Sequence, residues 1–528
     1  MTNVVVTGFM GTGKTAVGQE VARRLNRPFV DVDAEIEVRA GKSIPRIFAE
    51  DGEGVFRQME TALCEELSAP QGLVIATGGG ALVDPANRAQ MMESGIVICL
   101  ICDVDEILHR LQRAGNSDRP LLDVTDPRAE IERLLEIRRE AYRAIPWQID
   151  TTGLSVKGVA ARVMEIAGVI TLPIRYPGGE YPIYIGDGLL AHVGGALRAS
   201  GVPEGSRVAV VSNPVVAPLY GAHVEAALQS AGFQPFACSI PDGEQHKTPA
   251  TVAALYDQFL ANGLDRSGTV LSLGGGVTGD VAGFAAATFM RGVRFVQVPT
   301  TLLAMVDASV GGKTGVDLPQ GKNLVGAFKQ PTTVVVDPTV LTTLPDEEIR
   351  SGMAEVIKHG VIGAPDLFAE LDAGACHSPF VIRHSQIARA LRVKIAIVEE
   401  DPFEQGRRAV LNLGHTVGHA LERLSGFSLR HGEAVSIGMV AAARIAVELG
   451  RADLLLAYRI EAVLAAWWLP VRCPPFDADA IWEAMAHDKK QRGRSLRWVL
   501  PHAIGEVEIV ESVPRDVVVT VLRNLGAS

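Results

Sequence analysis

The eight residues Gly8-Phe-Met-Gly-Thr-Gly-Lys14-Thr15 constrain this chain more than any other stretch. They satisfy the spacing G-x-x-x-x-G-K-[ST], follow an apolar run at Val4–Thr7 and open a helix-like pattern. That setting gives the spacing its meaning. Backbone N–H groups of such a loop, with the N-terminus of the following helix, form a cradle for phosphate oxygens. Gly11, Thr12, Gly13, Lys14, Thr15 and Ala16 are the expected ATP contacts. Lys14 would neutralise β- and γ-phosphate charge, and Thr15 would ligate Mg²⁺. The surrounding pattern is that of an α/β domain with a parallel sheet. Apolar runs at Val4–Thr7, Phe29–Val32, Leu73–Ala76 and Ile96–Ile101 alternate with amphipathic helical segments.

One such domain does not use up 528 residues. Roughly 100–200 residues per domain predicts about three or four domains. Pro and Gly punctuate Arg175-Tyr-Pro-Gly-Gly-Glu180, so a linker is expected over residues 169–180, after a first domain at 1–168. A second α/β domain at 181–343 has strand patterns at Val208–Ser212, Thr269–Leu273, Phe295–Val298 and Thr333–Val336. From 344 to 528 helical periodicity dominates, at Glu347–Gly363, His377–Glu400, His415–Leu424 and Glu433–Leu449.

Net charge is −11, which argues against nucleic-acid binding and requires any anionic substrate to find a local basic pocket. No uncharged apolar stretch reaches about 18 residues, so no membrane span is expected. The first residues lack the basic start and apolar run of a signal peptide, and a cytoplasmic location is expected. Six cysteines are scattered along the chain. Cys99 and Cys102 have C-x-x-C spacing, but on a strand they face opposite sides, so they read as core residues.

After the second strand pattern, Asp31-Val-Asp33 places two carboxylates where ligands gather in a parallel sheet. One can assist Mg²⁺, and the other can accept a hydrogen bond from a substrate hydroxyl. Arg57, Arg119 and Arg138, with the turn Gly78-Gly-Gly80, suit a carboxylate substrate and a migrating phosphoryl group. Residues 1–168 resemble shikimate kinase through Asp31-Val-Asp-Ala-Glu-Ile-Glu37, Gly41-Lys-Ser-Ile44, Phe56-Arg57 and Thr77-Gly-Gly-Gly80. The resemblance implies shikimate on Asp33, Arg57, Gly79 and Arg138, and Mg²⁺ on Thr15 and Asp31. It implies a lid that brings Arg119 over the phosphate, with Arg113 beside the adenine. Lys14, Asp33 and Arg119 would be the catalytic residues.

A second site is built from strand-end loops and a histidine cluster. Gly274-Gly-Gly-Val-Thr-Gly-Asp280 follows a strand, and its glycines would let a dinucleotide pyrophosphate approach. Asp242-Gly-Glu-Gln-His-Lys247 and Thr300-Thr301 close neighbouring strands. His415 and His419 lie at i and i+4 on one helix face, and His431 and Glu355 complete a candidate metal set. Two histidines and a carboxylate leave a coordination position open, as catalytic zinc sites do. Thr416 stands where a zincin carries its glutamate base, which argues against a metalloprotease. Arg291, Lys313, Lys322, Lys358, Lys394, Arg408, Lys489 and Lys490 are candidate anion contacts.

Residues 175–528 resemble 3-dehydroquinate synthase. The resemblance rests on Pro241-Asp-Gly-Glu-Gln-His-Lys-Thr248, Pro299-Thr-Thr-Leu-Leu-Ala-Met-Val-Asp307, Gly321-Lys-Asn323, Glu355-Val-Ile-Lys358 and the His415 motif. It implies Zn²⁺, with Co²⁺ as the other ion considered, on Glu355, His415 and His431, and His419 as a proton-relay neighbour. It implies NAD on Asp242, Gly243, Glu244, Gln245, His246, Lys247, Gly275, Gly276, Val277, Thr278, Gly279, Asp280, Thr300, Thr301, Lys313, Lys322 and Thr343. Substrate contacts would be Arg291, Asp307, Lys313, Lys322, Asn323, Lys358, Lys394, Arg408, Asn412 and one of Lys489 and Lys490. Lys313, Lys358 and His419 would be catalytic. A homodimer through this half is also implied. Read without the resemblance, the second half also suits a metal-dependent alcohol or glycerol dehydrogenase. The first half also suits another small P-loop kinase or a non-catalytic nucleotide binder.

Overall fold

The computed structural model describes residues 2–113, 126–374, 382–426, 428–492 and 496–528, with the side chains of 486–492 excepted. Two compact units result. One comprises Met1–Val169 with Gly186–Gly205 and Ala226–Phe233, and the other Ile170–Ile185, Ser206–Glu225 and Gln234–Ser528.

The first unit is built on β1 (Asn3–Gly8), β2 (Phe29–Asp31), β3 (Val74–Ala76), β4 (Gly95–Ile101) and β5 (Trp147–Asp150), in the order β2-β3-β1-β4-β5. All pairings are parallel. Every residue of β1 is buried, as a central strand covered on both faces requires. Helix Lys14–Leu25 leaves β1 through the glycine-rich turn. Gly8, Gly11 and Gly13 have φ of 137°, 79° and 94°, conformations that side chains resist. Val5, Phe9, Ile75, Val97 and Cys99 belong to one core cluster, so Cys99 packs as expected, with Cys102 partly buried against it.

The first compact unit also takes in residues beyond 169. Helix Val193–Ala199 belongs to the same unit, and Gly195 leaves no room for a Cβ beside the Pro146 carbonyl. Arg143 pairs with Glu204 at 2.6 Å, and Arg198 donates to Gln148 at 3.1 Å.

The second unit holds β6 (Ile170–Tyr176), β7 (Gly179–Ile185), β8 (Arg207–Ser212), β9 (Gln234–Ser239), β10 (Thr269–Gly274), β11 (Arg294–Pro299) and β14 (Thr333–Val336). They form one sheet in the order β6-β7-β14-β11-β10-β8-β9. Only the edge pairing β6–β7 is antiparallel. The stretch expected to be a linker, 169–180, is therefore mostly strand, and its Pro-Gly-Gly sequence is the turn of the hairpin. A separate hairpin joins β12 (Lys313–Leu318) and β13 (Gly321–Phe328). Beyond Thr343 the chain is mainly helical, with β15 (Arg497–Ala503) and β16 (Glu506–Glu511) pairing near its end. Helix Asp346–Gly363 is buried on nearly all sides from Ser351 to Ile362, with Glu355, Lys358 and His359 among its buried residues.

Candidate active sites

At the first site Lys14 begins its helix and donates to the Phe9 carbonyl at 3.1 Å. Thr15 Oγ1 donates to Asp31 Oδ2 at 2.7 Å, so the two residues expected at Mg²⁺ already touch. Asp31 also caps helix Val32–Ala40, accepting from the N–H groups of Asp33 and Ala34. Those hydrogen bonds fix its position.

Asp33, Arg57, Gly79 and Arg138 converge on the strand-end turn at Gly78-Gly-Gly80. A Cβ on Gly78 would fall 2.5 Å from Asp33 Oδ1, and one on Gly80 would strike the Arg57 guanidinium. Arg138 and the Tyr142 hydroxyl both donate to the Gly79 carbonyl, at 2.9 and 2.7 Å. Burial pushes the Asp33 carboxyl up from its ordinary value, with Asp31 and Glu37 adding to the rise against Lys14 and Arg57. Glu60 is a member that sequence reasoning missed. It is buried and bonded to Arg57 at 2.5 Å, with its second oxygen beside Gly78. Its i+3 spacing from Arg57 on helix Glu53–Ser68 was the available signal.

Arg113 is the exposed last residue of helix Val104–Arg113. One turn earlier, Arg110 donates to the Gly11 carbonyl at 3.3 Å and to the Thr151 carbonyl at 2.8 Å, so it is the arginine of this helix at the phosphate loop. Arg119 lies outside the described residues.

At the second site Glu355 sits fully buried in the middle of helix Asp346–Gly363. Nε2 of His415 and Nε2 of His431 approach its Oε1 at 3.7 and 3.6 Å. Ligands bound tetrahedrally at about 2.0–2.2 Å stand roughly 3.3–3.6 Å apart. The three donors thus leave a gap of metal-ion size. His415 Nδ1 contacts its own Leu413 carbonyl at 3.1 Å, and His431 Nδ1 contacts Glu422 at 3.2 Å. Both rings therefore turn Nε2 inward. Burial alone would lower the His431 pKa, but Glu355 and Glu422 outweigh it and raise it to about 9. The pocket between those carboxylates favours a cation, and the residues fit a divalent metal. His419 faces the same cluster, with its ring 5.2 Å from that of His415.

Next to this set lies an unusual density of buried charge. Lys358 contacts Glu355, Lys394 donates to Asp307 Oδ1 at 2.6 Å, and Arg408 donates to the Gly311 carbonyl at 3.1 Å. Burial opposes ionisation of Asp307, yet Lys394 and Lys358 hold its carboxyl well below the usual range. Lys313 pairs with Glu404 at 2.7 Å. Asn412 ends the short helix Arg407–Asn412 that carries Arg408. Lys358, Lys394 and Arg408 are buried cations, and buried charges require partners. An anionic ligand would balance them.

The expected dinucleotide loops follow β9, β10 and β11, at the carboxyl ends of strands flanking the point between β8 and β10 where the strand order reverses. Thr300 N–H bonds the Gly274 carbonyl at 3.0 Å, and a Cβ on Gly275 would crowd Thr301. Gly276, Val277, Thr278, Gly279 and Asp280 form the first turns of helix Gly276–Thr288. Lys247 links three segments, bonding Asp280 and Asn323 at 2.6 Å each while its own carbonyl accepts from the Asp317 N–H. Lys322 pairs with Glu244 at 3.2 Å, and Asp242 accepts from Asn213 at 2.7 Å. Gly243, Gln245 and His246 shape the same turn, with Gly243 at φ 103°. Thr343 meets the Tyr220 hydroxyl at 2.5 Å. Asn213 and Tyr220 were missed because single polar residues after a strand carry no motif.

Family models match at three places. Residues 10–167 match shikimate kinase, 237–351 the 3-dehydroquinate synthase N-terminal domain and 352–491 its C-terminal domain. The 3-dehydroquinate synthase of Synechococcus sp. is 47% identical over 368 residues, covering 68% of this chain and 99% of the relative. This chain belongs to the 3-dehydroquinate synthase family. Its first third is a shikimate kinase domain, so it is a fusion of the two enzymes. Solved structures extend the likeness of the synthase half. A 2-epi-5-epi-valiolone synthase from Streptomyces hygroscopicus with NAD⁺ and Zn²⁺ bound is 28% identical. The match has a TM-score of 0.60 and covers 66% of this chain and 98% of the neighbour. A 2-deoxy-scyllo-inosose synthase complexed with carbaglucose-6-phosphate, NAD⁺ and Co²⁺ is 25% identical. Its TM-score is 0.59, with coverage of 67% and 99%.

In the synthase half, glycines bring the three candidate ligands together. Helix His415–Leu424 packs on helix His431–Glu448 with almost no space between backbones. A Cβ on Gly438 would lie 1.8 Å from the Gly414 carbonyl oxygen, and one on Gly432 would lie 2.0 Å from that of Ser351. Ser351 is one turn before Glu355 on its helix. Gly438→Ala is therefore expected to destabilise the synthase by about 3 kcal/mol or more, because backbone on both sides must move. Urea unfolding followed by tryptophan fluorescence, with metal content measured in parallel, checks this.

Two further synthase expectations do not join the cluster. Arg291 is exposed at φ 67°, beyond the far end of helix Gly276–Thr288. Thirteen residues span roughly 20 Å, so within one chain Arg291 lies far from the glycine turn and from Asp307 beside it. Lys489 and Lys490 lie on helix Ala478–Arg492, but their side chains are outside the described residues.

Proposed function

We propose that the chain phosphorylates shikimate with ATP at its first site. At its second site it converts 3-deoxy-D-arabino-heptulosonate 7-phosphate to 3-dehydroquinate and phosphate. The observation that carries the second reading is the convergence of His415, His431 and Glu355 beside the buried Lys358, Lys394 and Arg408. An alcohol dehydrogenase acting on a neutral substrate has no need for those cations. The test is product analysis on the full chain. The heptulosonate should yield one inorganic phosphate per turnover with no accumulated NADH, whereas a dehydrogenase would accumulate NADH. Shikimate, and not gluconate or a nucleoside monophosphate, should drive ADP formation.

At the kinase site, Lys14 and the loop N–H groups hold the nucleotide phosphates, and Thr15 and Asp31 hold its Mg²⁺. Arg57 and Arg138 bind the shikimate carboxylate. Asp33 orients the attacking hydroxyl and accepts its proton. The raised pKa of Asp33 has a sign that can be checked. The carboxylate is lost as pH falls through a value above the ordinary aspartate one. The acid limb of kinase kcat/KM should therefore lie above pH 4, and a limb at or below that value would remove Asp33 from this role.

At the synthase site, Glu355, His415 and His431 are the proposed ligands of a Zn²⁺ or Co²⁺ ion. That ion would supply Lewis-acid polarisation of a substrate hydroxyl, and NAD bound at the glycine turn would supply reversible hydride transfer. Lys313, Lys358, Lys394, Arg408, Asn323 and Asn412 hold the anionic substrate in one orientation. Asp307 keeps Lys394 in place, and His419 is positioned to pass a proton. Lys247 ties the Asp280 turn to the β12–β13 hairpin, so it orders the NAD pocket. With a fixed substrate, proton transfers need few dedicated bases.

The domain reading is a kinase at 1–168, an NAD-binding domain at 181–343 and a helical metal domain at 344–528. The substrates are small molecules. No described helix is long and apolar enough to cross a membrane. A cytoplasmic location and a homodimer through the synthase half complete the reading. Light scattering should then report about twice 56.2 kDa.

A further inference from the structure

We infer that Glu422 is the positioning residue for the synthase metal site. It holds His431 by Nδ1 so that Nε2 faces Glu355 and His415.

The two histidines solve the same orientation problem differently. His415 is steadied from its own chain, by the Leu413 carbonyl two residues back. His431 is the first residue of its helix, and its Nδ1 contact comes from the neighbouring helix His415–Leu424, where Glu422 approaches at 3.2 Å. The Glu422 side chain is only 8% exposed. A carboxylate so buried needs a partner. An Nδ1–H bonded to it leaves the Nε2 lone pair pointing at the site, and the negative charge makes that nitrogen more basic. The contact depends on close packing of the two helices, in which Gly418 abuts the Ala434 carbonyl and Gly414 that of Val435.

A competing assignment uses the same atoms. His419, Glu422 and His431 offer donors within 4.8 Å of one another, which could mark a second ion. That ion would need both nitrogens of His431 at once, because Nε2 is already turned to Glu355. His419 is also exposed. A single ion with Glu422 behind its ligand accounts for both contacts.

The inference rests on Glu355, His415 and His431 being the ligands, and a ligand variant tests that separately. The experiment uses the full chain as wild type, Glu422→Gln and Glu422→Ala, stripped of metal and titrated with Zn²⁺ against a competing chelator. Co²⁺ absorption spectra are recorded in parallel. Wild type should bind one synthase-site ion per chain. Glu422→Ala should still bind one, with affinity lower by about 10–100-fold and an altered Co²⁺ spectrum. Glu422→Gln keeps the volume and an acceptor oxygen, so it should lie between the two. Urea unfolding followed by tryptophan fluorescence reports that the synthase half of each variant is folded. Wild-type affinity and spectrum in both variants would overturn the inference. So would two ions in wild type, one of them lost in Glu422→Gln, because Glu422 would then be a ligand. If Glu422→Ala does not fold, the isosteric glutamine variant decides alone.

Discussion

Replacing Lys14 with alanine should lower shikimate phosphorylation by roughly 10³-fold while leaving phosphate release from the heptulosonate unchanged. Lys14 is the first residue of helix Lys14–Leu25, and its ammonium lies against the Phe9 carbonyl inside the loop. It therefore stands ready to meet the β- and γ-phosphates without reorganising the backbone. Alanine keeps the helix start and removes only the charge. The glycines that shape the loop, Gly8, Gly11 and Gly13, are untouched. Coupled ADP and phosphate assays on one preparation measure both activities. Loss of both would contradict two separate sites, and loss of neither would remove the loop from catalysis.

The complementary substitution, His431→Ala, should abolish synthase turnover and spare the kinase. It removes Nε2 from a set of three and leaves Glu355 and Glu422 as buried carboxylates with one fewer partner. Metal affinity should fall by more than about 100-fold, since even a residue behind a ligand is worth roughly 10–100-fold. Equilibrium dialysis against Zn²⁺, with activity measured after metal is restored in excess, checks it. Full metal occupancy in purified His431→Ala would overturn the ligand assignment. Because the readout is bound metal, it separates a lost ligand from a merely slowed reaction.

The kinase elements were largely readable from residue order. Four of the five strands of its sheet follow apolar runs, Asp31 ends one of them, and the phosphate loop, Asp33 and the Gly78 turn lie just beyond strand ends. Trp147–Asp150 was missed because four residues with one charge at the end give too short a pattern. In the synthase half, the hairpin β6–β7 read as a linker because its turn, Pro177-Gly-Gly179, is the same punctuation that linkers use. The hairpin β12–β13 was hidden by Lys313, Lys322 and Asn323, whose polarity fits a ligand loop as well as an exposed strand.

Residue types and local spacing were enough to mark a phosphate loop, a candidate metal set and the motifs that carry the two family resemblances. The P-loop, the paired aspartates, the His415–His419 spacing and the order of the lysine motifs each depend on neighbours a few positions apart, where backbone geometry alone dictates which side chains meet. Contacts across long sequence distances depended on the tertiary structure. Only packing could bring Arg110 to the phosphate loop, place Glu60 beside Gly78, or put Arg291 outside the cluster within one chain. Only packing could bring Glu422 behind His431. The physical reason is that these pairings are set by how closely two backbones approach. That approach is decided by glycines such as Gly414, Gly432 and Gly438, whose missing side chains leave no pattern to read until the helices are laid against each other.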